Sequence, residues 1–287
     1  METNVTTSTL EQSAAAATNP ATKRAIIALG DKGGSSKSFL TRRLYEAHLG
    51  SHTSLLGIDA DATVGHLVKH YGADHITAFD LHSADLDERE YLTNTLLRES
   101  NAALVIIDFP ATSLNTLLKM KEDGIDFVRE VSNAGYRPTI LAPITPYDDT
   151  LFDLRKAIEL FDPESVELFE KLGAVGKGGV KIASAIKTVA LNADYVAIVN
   201  LGMAEDRSDF DLWDESEARR LLQFIGGTEF DFPRLRPRIA ARIAQHSSSF
   251  GDAMKANYIK PTDKSRLATW LDQSEAALRK AGPLLGF

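Results

Sequence analysis

Two lysines and three serines around a glycine pair carry the strongest chemical signal in the chain. The stretch IIALGDKGGSSKSFLTRRL, residues 26–44, runs an apolar segment into Lys32, Gly33, Gly34, Ser35, Ser36, Lys37 and Ser38, then into a helix-like pattern from Phe39 onward. A phosphate loop needs a strand that stops abruptly, backbone N–H groups turned inward as an anion nest, a lysine, and a hydroxyl for magnesium at a helix start. This stretch supplies all four. Against the pattern G-x-x-x-x-G-K-[ST] it departs twice, because Asp31 and Ser36 stand at the two glycine positions. A serine at position 36 adds a Cβ that such a loop tolerates only if the local φ is negative, which bears on hydrolysis more than on nucleotide binding.

The elements that must position this loop are legible as short apolar runs separated by helix-length segments. The runs AIIAL (25–29), TSLLGI (53–58), ALVIID (103–108), TILAPI (139–144) and YVAIVN (195–200) are apolar throughout rather than alternating. That pattern suits strands buried on both faces of a parallel sheet. Helices are expected at about 37–49, 86–99, 112–132, 148–160, 164–172, 181–191 and 214–225, the fourth with Asp148 and Asp149 at its positive end. The fold class is therefore α/β, with a mostly parallel twisted sheet flanked by helices on both faces. A glycine-rich stretch, LGAVGKGGV (172–180), lacks the lysine–serine ending after a strand and is read as a surface loop.

Bulk composition narrows the class. The chain of 287 residues has no cysteine, which removes disulfides, thiolate zinc sites, iron–sulfur clusters and cysteine nucleophiles, and it fits a cytoplasmic location. A formal net charge of −8 means that any nucleic-acid contact must come from a local patch. No apolar run approaches the roughly 20 residues that span a bilayer, and the opening has no basic leader, so neither membrane insertion nor secretion is expected. Residues 1–22, rich in Ser, Thr, Ala and Asn, read as a flexible tail, 23–260 as the folded α/β domain, and 261–287 as a C-terminal helix docked on it. The pairs His48/His52 and His66/His70 have helical spacing but no third ligand nearby, so no zinc site is expected.

The spacing Lys32-Gly33-Gly34 followed by Lys37-Ser38 resembles the deviant Walker A loop of ParA/MinD-type ATPases, and the remaining parts follow in the family's order. GIDADATVGHL is similar to its switch I segment, with Asp59 and Asp61 at the two acids and Ala62 and Thr63 replacing the usual Pro and Gln. The resemblance implies that Asp61 positions the attacking water while Asp59 lies near the magnesium shell. ALVIIDFPATS looks like the Walker B segment, its Asp108 closing a strand beside the loop where it can hold magnesium through water. TILAPITPYDD resembles the segment beside the switch regions. DYVAIVNLG places Asn200 at the family's adenine-contacting asparagine, a side chain with one acceptor and two donors. EFDFPRLRPR resembles the last strand and its adenine-flanking turn, where Pro233 and Arg234 fall. The likeness covers residues 24 to about 255.

The resemblance implies a single P-loop NTPase domain, with residues 23–260 as a ParA-like ATPase domain. ATP or ADP would sit on Gly33, Gly34, Ser35, Ser36, Lys37, Ser38 and Phe39, with Asn200, Pro233 and Arg234 at the base and magnesium on Ser38, Asp59 and Asp108. Lys32, Lys37 and Asp61 would serve hydrolysis. Lys32 would cross to a second subunit's nucleotide, making an ATP-sandwich homodimer, since a second cation offsets charge at the transferring phosphoryl group. Arg234, Arg236, Arg238 and Arg242 would contact non-specific DNA phosphates, or else form a solvated helix face with ion pairs. A ParB-like partner or a transfer-machinery adaptor would stimulate hydrolysis, in partition of plasmid or other DNA cargo or in conjugative transfer. A small-molecule kinase and a weakly hydrolysing scaffold stand as alternatives. The acidic residues Asp272 and Glu275 in the last helix disfavour membrane cycling.

Overall fold

The structure, a computed structural model, describes residues 23–51, 54–61, 64–83, 85–174 and 190–287. The tail 1–22, Ala62 and Thr63, most of the expected helix 181–191 and most of the glycine-rich stretch 172–180 lie outside the described residues.

Seven strands form one parallel sheet in the order β3-β2-β4-β1-β5-β6-β7: β1 (Arg24–Ala28), β2 (Leu55–Asp59), β3 (Ile76–Ala78), β4 (Leu104–Asp108), β5 (Arg137–Ile144), β6 (Asp194–Asn200) and β7 (Thr228–Phe232). The uniformly apolar runs are explained by what covers them. Ala25 and Ile27 of β1, with Val105 and Ile107 of β4, face one core, while Ile26, Ala28, Leu104 and Ile106 face a second core on the other side. Both faces are dry, so the middle residues of the inner strands are mostly apolar and the charged ones stand at strand ends.

The first core is closed by a π-helical turn (Leu92–Leu96), entered from α3 (Leu86–Tyr91) and continued by α4 (Leu97–Glu99), and by α5 (Ser113–Glu122), α6 (Phe127–Asn133), α7 (Asp148–Phe161), α8 (Pro163–Ala174), α9 (Asp211–Glu215) and α10 (Glu217–Phe224). The second is closed by α1 (Lys37–His48), α2 (His66–Tyr71), α11 (Pro237–Gln245), α12 (Phe250–Lys255) and α13 (Pro261–Leu278). The single helix expected over 112–132 is broken between α5 and α6, where Gly124 takes φ +91° and Asp126 caps the new helix by accepting from Arg129 N. The helix expected over 214–225 restarts at Ser216, whose side chain accepts from Arg219 N. Neither β3, three residues long, nor α2 was expected.

One aromatic cluster welds the C-terminal helix to the helix that follows the glycine loop. Trp270 of α13 is buried, donates from Nε1 to Pro233 O at 2.9 Å, and packs against Phe39, Phe232 and Phe250 with centroid separations of 5.6, 6.0 and 5.2 Å. Buried Arg43 of α1 adds two donations into α13, to Ser274 Oγ at 2.7 Å and Leu271 O at 2.9 Å. Trp270→Ala is expected to cost about 3–5 kcal/mol, read as a lowered urea midpoint in equilibrium unfolding.

The seam between α2 and α12 is pH-sensitive. His70 is buried and its Nδ1 donates to Ser248 O at 2.7 Å; burial, then the nearby Arg42 charge, lowers its pKa to about 4. The unfolded chain therefore binds the proton more tightly, and the stability from neutral His70 is complete above about pH 6.5 and lost as the pH falls towards 4. Between about pH 7.5 and 4.5, wild type should lose roughly 2–3 kcal/mol more than His70→Gln, measured by denaturant titration of both proteins at each pH.

Candidate functional site

Register brings the chemistry to one row. Asp59 of β2 pairs in register with Asp108 of β4, and Asp108 with Ala28 of β1, so two carboxylates flank the point where the central strand ends. Ligands of open parallel sheets bind at such carboxyl ends, where strand order reverses. The glycine loop opens there, and its N–H groups at Gly33, Gly34, Ser36, Lys37 and Ser38 have no acceptor among the described residues. Alternating backbone hands point successive N–H groups inward, with Gly34 at φ +77° and Ser36 at φ +71°.

Ser36 therefore does not meet the condition of negative φ under which a side chain would be tolerated at this position. The extended N-caps of other helices, Asp126, Ser216 and Ser249 among them, show that a helix start does not by itself demand this left-handed turn; it belongs to the loop, and the chain accepts a strain of about 1 kcal/mol there. Ser36 Oγ lies 3.2 Å from Met203 Sδ, and Ser35 Oγ donates to Lys32 O at 3.1 Å, so side chains brace the loop on both sides.

Lys37 is buried and its Nζ donates to Lys32 O at 3.0 Å. Burial lowers its pKa, against the pull of Asp108, Asp153 and Asp31. Asp108 accepts from Thr41 Oγ1 at 3.2 Å and from the Ser38 hydroxyl, and burial raises it to about 7. A carboxylate short of solvent beside a hydroxyl at a helix N-terminus is a donor set suited to a hydrated divalent cation.

The other acids divide differently from the sequence reading. Asp59, fully buried, caps α2: Oδ2 accepts from Leu67 N at 2.6 Å and Val68 N at 3.1 Å, while Oδ1 accepts from Asp61 N at 3.2 Å. Burial still raises its pKa. Asp61, two residues on and partly exposed, accepts from Val64 N at 3.0 Å. Two acids absent from the sequence reading of the site reach the loop from α7. Asp149 binds the Lys32 ammonium, and Asp153 Oδ2 accepts from Lys32 N at 3.1 Å. Asp153 comes so close that a Cβ on Gly30 would meet Oδ2 at 3.0 Å. No local pattern could reveal these contacts, which span 117 and 121 positions.

A cleft of about 280 Å³ beside the loop is lined by Ser36, Phe39, Asn200 and Pro233, joined by Leu235 and Pro237. Asn200 is buried and its Oδ1 accepts from Gly202 N at 3.0 Å. Arg234 is exposed outside that lining and donates to Ala204 O at 3.1 Å. The remaining arginines do not act as one free patch. Arg238 pairs with buried Asp263 at 2.6 Å and Arg242 donates to Tyr258 O at 2.5 Å, whereas exposed Arg236 makes no such bond among the described residues.

Among solved structures the chain is similar to the MinC:MinD cell division protein complex of Aquifex aeolicus, at 12% identity over 86% of this chain and 95% of that one, TM-score 0.43. It is similar to a ParA family ATPase from Chlorobium tepidum at 13% identity, covering 88% and 98%, TM-score 0.43. A nucleotide-binding protein in complex with ADP from Archaeoglobus fulgidus follows at 15% identity, covering 78% and 85%, TM-score 0.42. No family model and no curated protein matches the sequence. The likenesses are of chain course only, and no residue takes its role from them.

Ser36→Gly should remove the left-handed strain and stabilise the protein by about 1 kcal/mol. Thermal unfolding of the two proteins in the same buffer checks this, and an unchanged or lower midpoint contradicts it.

Proposed function

We propose that the chain is a nucleotide-binding ATPase of the ParA/MinD type, working as an ATP-dependent homodimer. The observation that carries the reading is the row at the sheet's carboxyl edge: an N–H cradle with no acceptor among the described residues, buried Lys37 behind it, and Ser38 hydrogen-bonded to a desolvated Asp108. Three backbone or side-chain donor types converging on one small volume suit a polyphosphate. The cleft at Asn200 and Pro233 would take the base, with the side-chain amide nitrogen of Asn200 as its donor.

Ser38 and Asp108 would hold magnesium, which when bound supplies charge neutralisation for the phosphates. Asp59 supports this shell through the fold, because both of its oxygens already accept backbone donors of α2 and its approach. Asp61 remains the acid assigned to water positioning. Lys32 is assigned to the second subunit's nucleotide: its ammonium is half-exposed and held by an exposed Asp149, a pairing that solvent screens and that costs little to exchange. Hydrolysis is expected to be slow and partner-stimulated.

DNA binding and DNA-cargo partition belong to the same proposal on thinner support. Three of the four arginines donate within the chain, which leaves Arg236 as the side chain most available to a phosphate. Their remaining guanidinium donors would still add to a patch doubled by dimerisation.

The test is light-scattering mass without nucleotide, with ADP and with ATP–magnesium, on wild type, Lys32→Ala, Lys37→Ala and Asp61→Ala, with DNA filter binding on the same samples. Wild type and Asp61→Ala should double in mass and retain DNA only with ATP. Lys37→Ala should lose ATP affinity by at least about ten-fold, and Lys32→Ala should bind ATP yet stay monomeric. A mass indifferent to nucleotide in every variant overturns the dimer switch.

A further inference from the structure

The turn that follows Asp108 is the second strained point near the loop. Thr112, at the N-cap of α5, stands at φ +64° and ψ 11°, a left-handed conformation that a β-branched residue adopts only under constraint. Two residues from outside the turn supply that constraint. Asp31 holds it from the glycine loop, accepting Thr112 N on its carbonyl at 3.3 Å and Leu114 N on Oδ1 at 3.0 Å.

His82 holds it from the opposite side. Its Nε2 lies 3.0 Å from Ala111 O, and a carbonyl only accepts, so Nε2 carries the hydrogen and donates. That leaves Nδ1 as an acceptor for Thr116 Oγ1 at 2.9 Å, one turn into α5. The segment bearing His82 is itself tied to the end of β2, where Phe79 N donates to Asp59 O at 3.0 Å and Leu81 N to Ala60 O at 3.3 Å. Thus the end of β2, the turn after β4 and the glycine loop form one hydrogen-bonded ring, with the exposed His82 ring closing it.

We propose that His82 is a positioning residue: it latches the strained Ala111–Thr112 turn against Asp31, so that the state of the phosphate loop is passed to α5. The catalytic part of this inference rests on the nucleotide reading above; the latch itself does not.

The experiment pairs amide hydrogen exchange with ATP affinity and turnover, on wild type, His82→Ala, Thr112→Gly and the double variant. His82→Ala should raise exchange at the Thr112 and Leu114 amides about ten-fold, with the global unfolding midpoint little changed. ATP affinity should stay within about two-fold while kcat falls about ten-fold. Glycine at 112 removes the strain that the latch opposes, so the double variant should return towards wild type in both exchange and turnover. A merely structural histidine would not be rescued this way. Unchanged exchange at those amides in His82→Ala, or a double variant no better than His82→Ala, overturns the proposal. If wild type fails to bind ATP, the nucleotide reading falls, and the exchange measurements still decide the latch.

Discussion

A central strand with no wet face forces everything polar to its end. β1 is flanked by β4 and β5 and covered on both sides, so the first place where Lys32, Ser36 and Lys37 can stand is the carboxyl edge of the sheet. In-register pairing then aligns Asp59 and Asp108 with the same edge. The cost of that placement is visible in Asp108, which burial raises to about 7 and which two hydroxyls stabilise as a carboxylate. A group so poised gains most from a cation, because the partner restores what desolvation removed.

The same edge is held by contacts that trade strain for position. Ser36 and Thr112 both adopt the left-handed region, one on each side of the site, and each is braced by side chains from distant segments. Rigid placement near 0.5 Å tolerances is what phosphate chemistry requires of its surroundings. Strained turns held by few bonds are also the elements whose populations shift with little free energy. The structure therefore joins a doubly covered sheet to a rim that includes two left-handed turns braced by side chains.

The α7 carboxylates give the rim its electrostatic balance. Asp149 on the Lys32 ammonium and Asp153 on the Lys32 N–H restrain the loop's outer arm, while Asp153, raised by burial and by the neighbouring Asp31, sits where a second negative charge is unfavourable. On the far face, Trp270 and Arg43 fasten the C-terminal helix to α1, so the helix that carries Lys37 and Ser38 is fixed by packing rather than by the loop.

Much of this was legible in the residues alone. Uniformly apolar runs dictated a sheet covered on both faces, since a half-exposed strand would have to alternate. The spacing of Lys37, Ser38, Asp59, Asp108 and Asn200 put them at strand ends and at the start of α1, because local spacing controls where strands end and helices begin. The tertiary structure decided what spacing cannot encode. It turned Ser36 to positive φ, where the path of the loop into α1 outweighs the preference of a Cβ-bearing residue. It committed Asp59 to capping the unexpected α2, brought Asp149 and Asp153 to a loop more than a hundred positions away, tied three arginines to internal acceptors, and closed the ring at His82. Each depends on which side chain arrives first at an unpaired backbone group, and only the packed chain determines that.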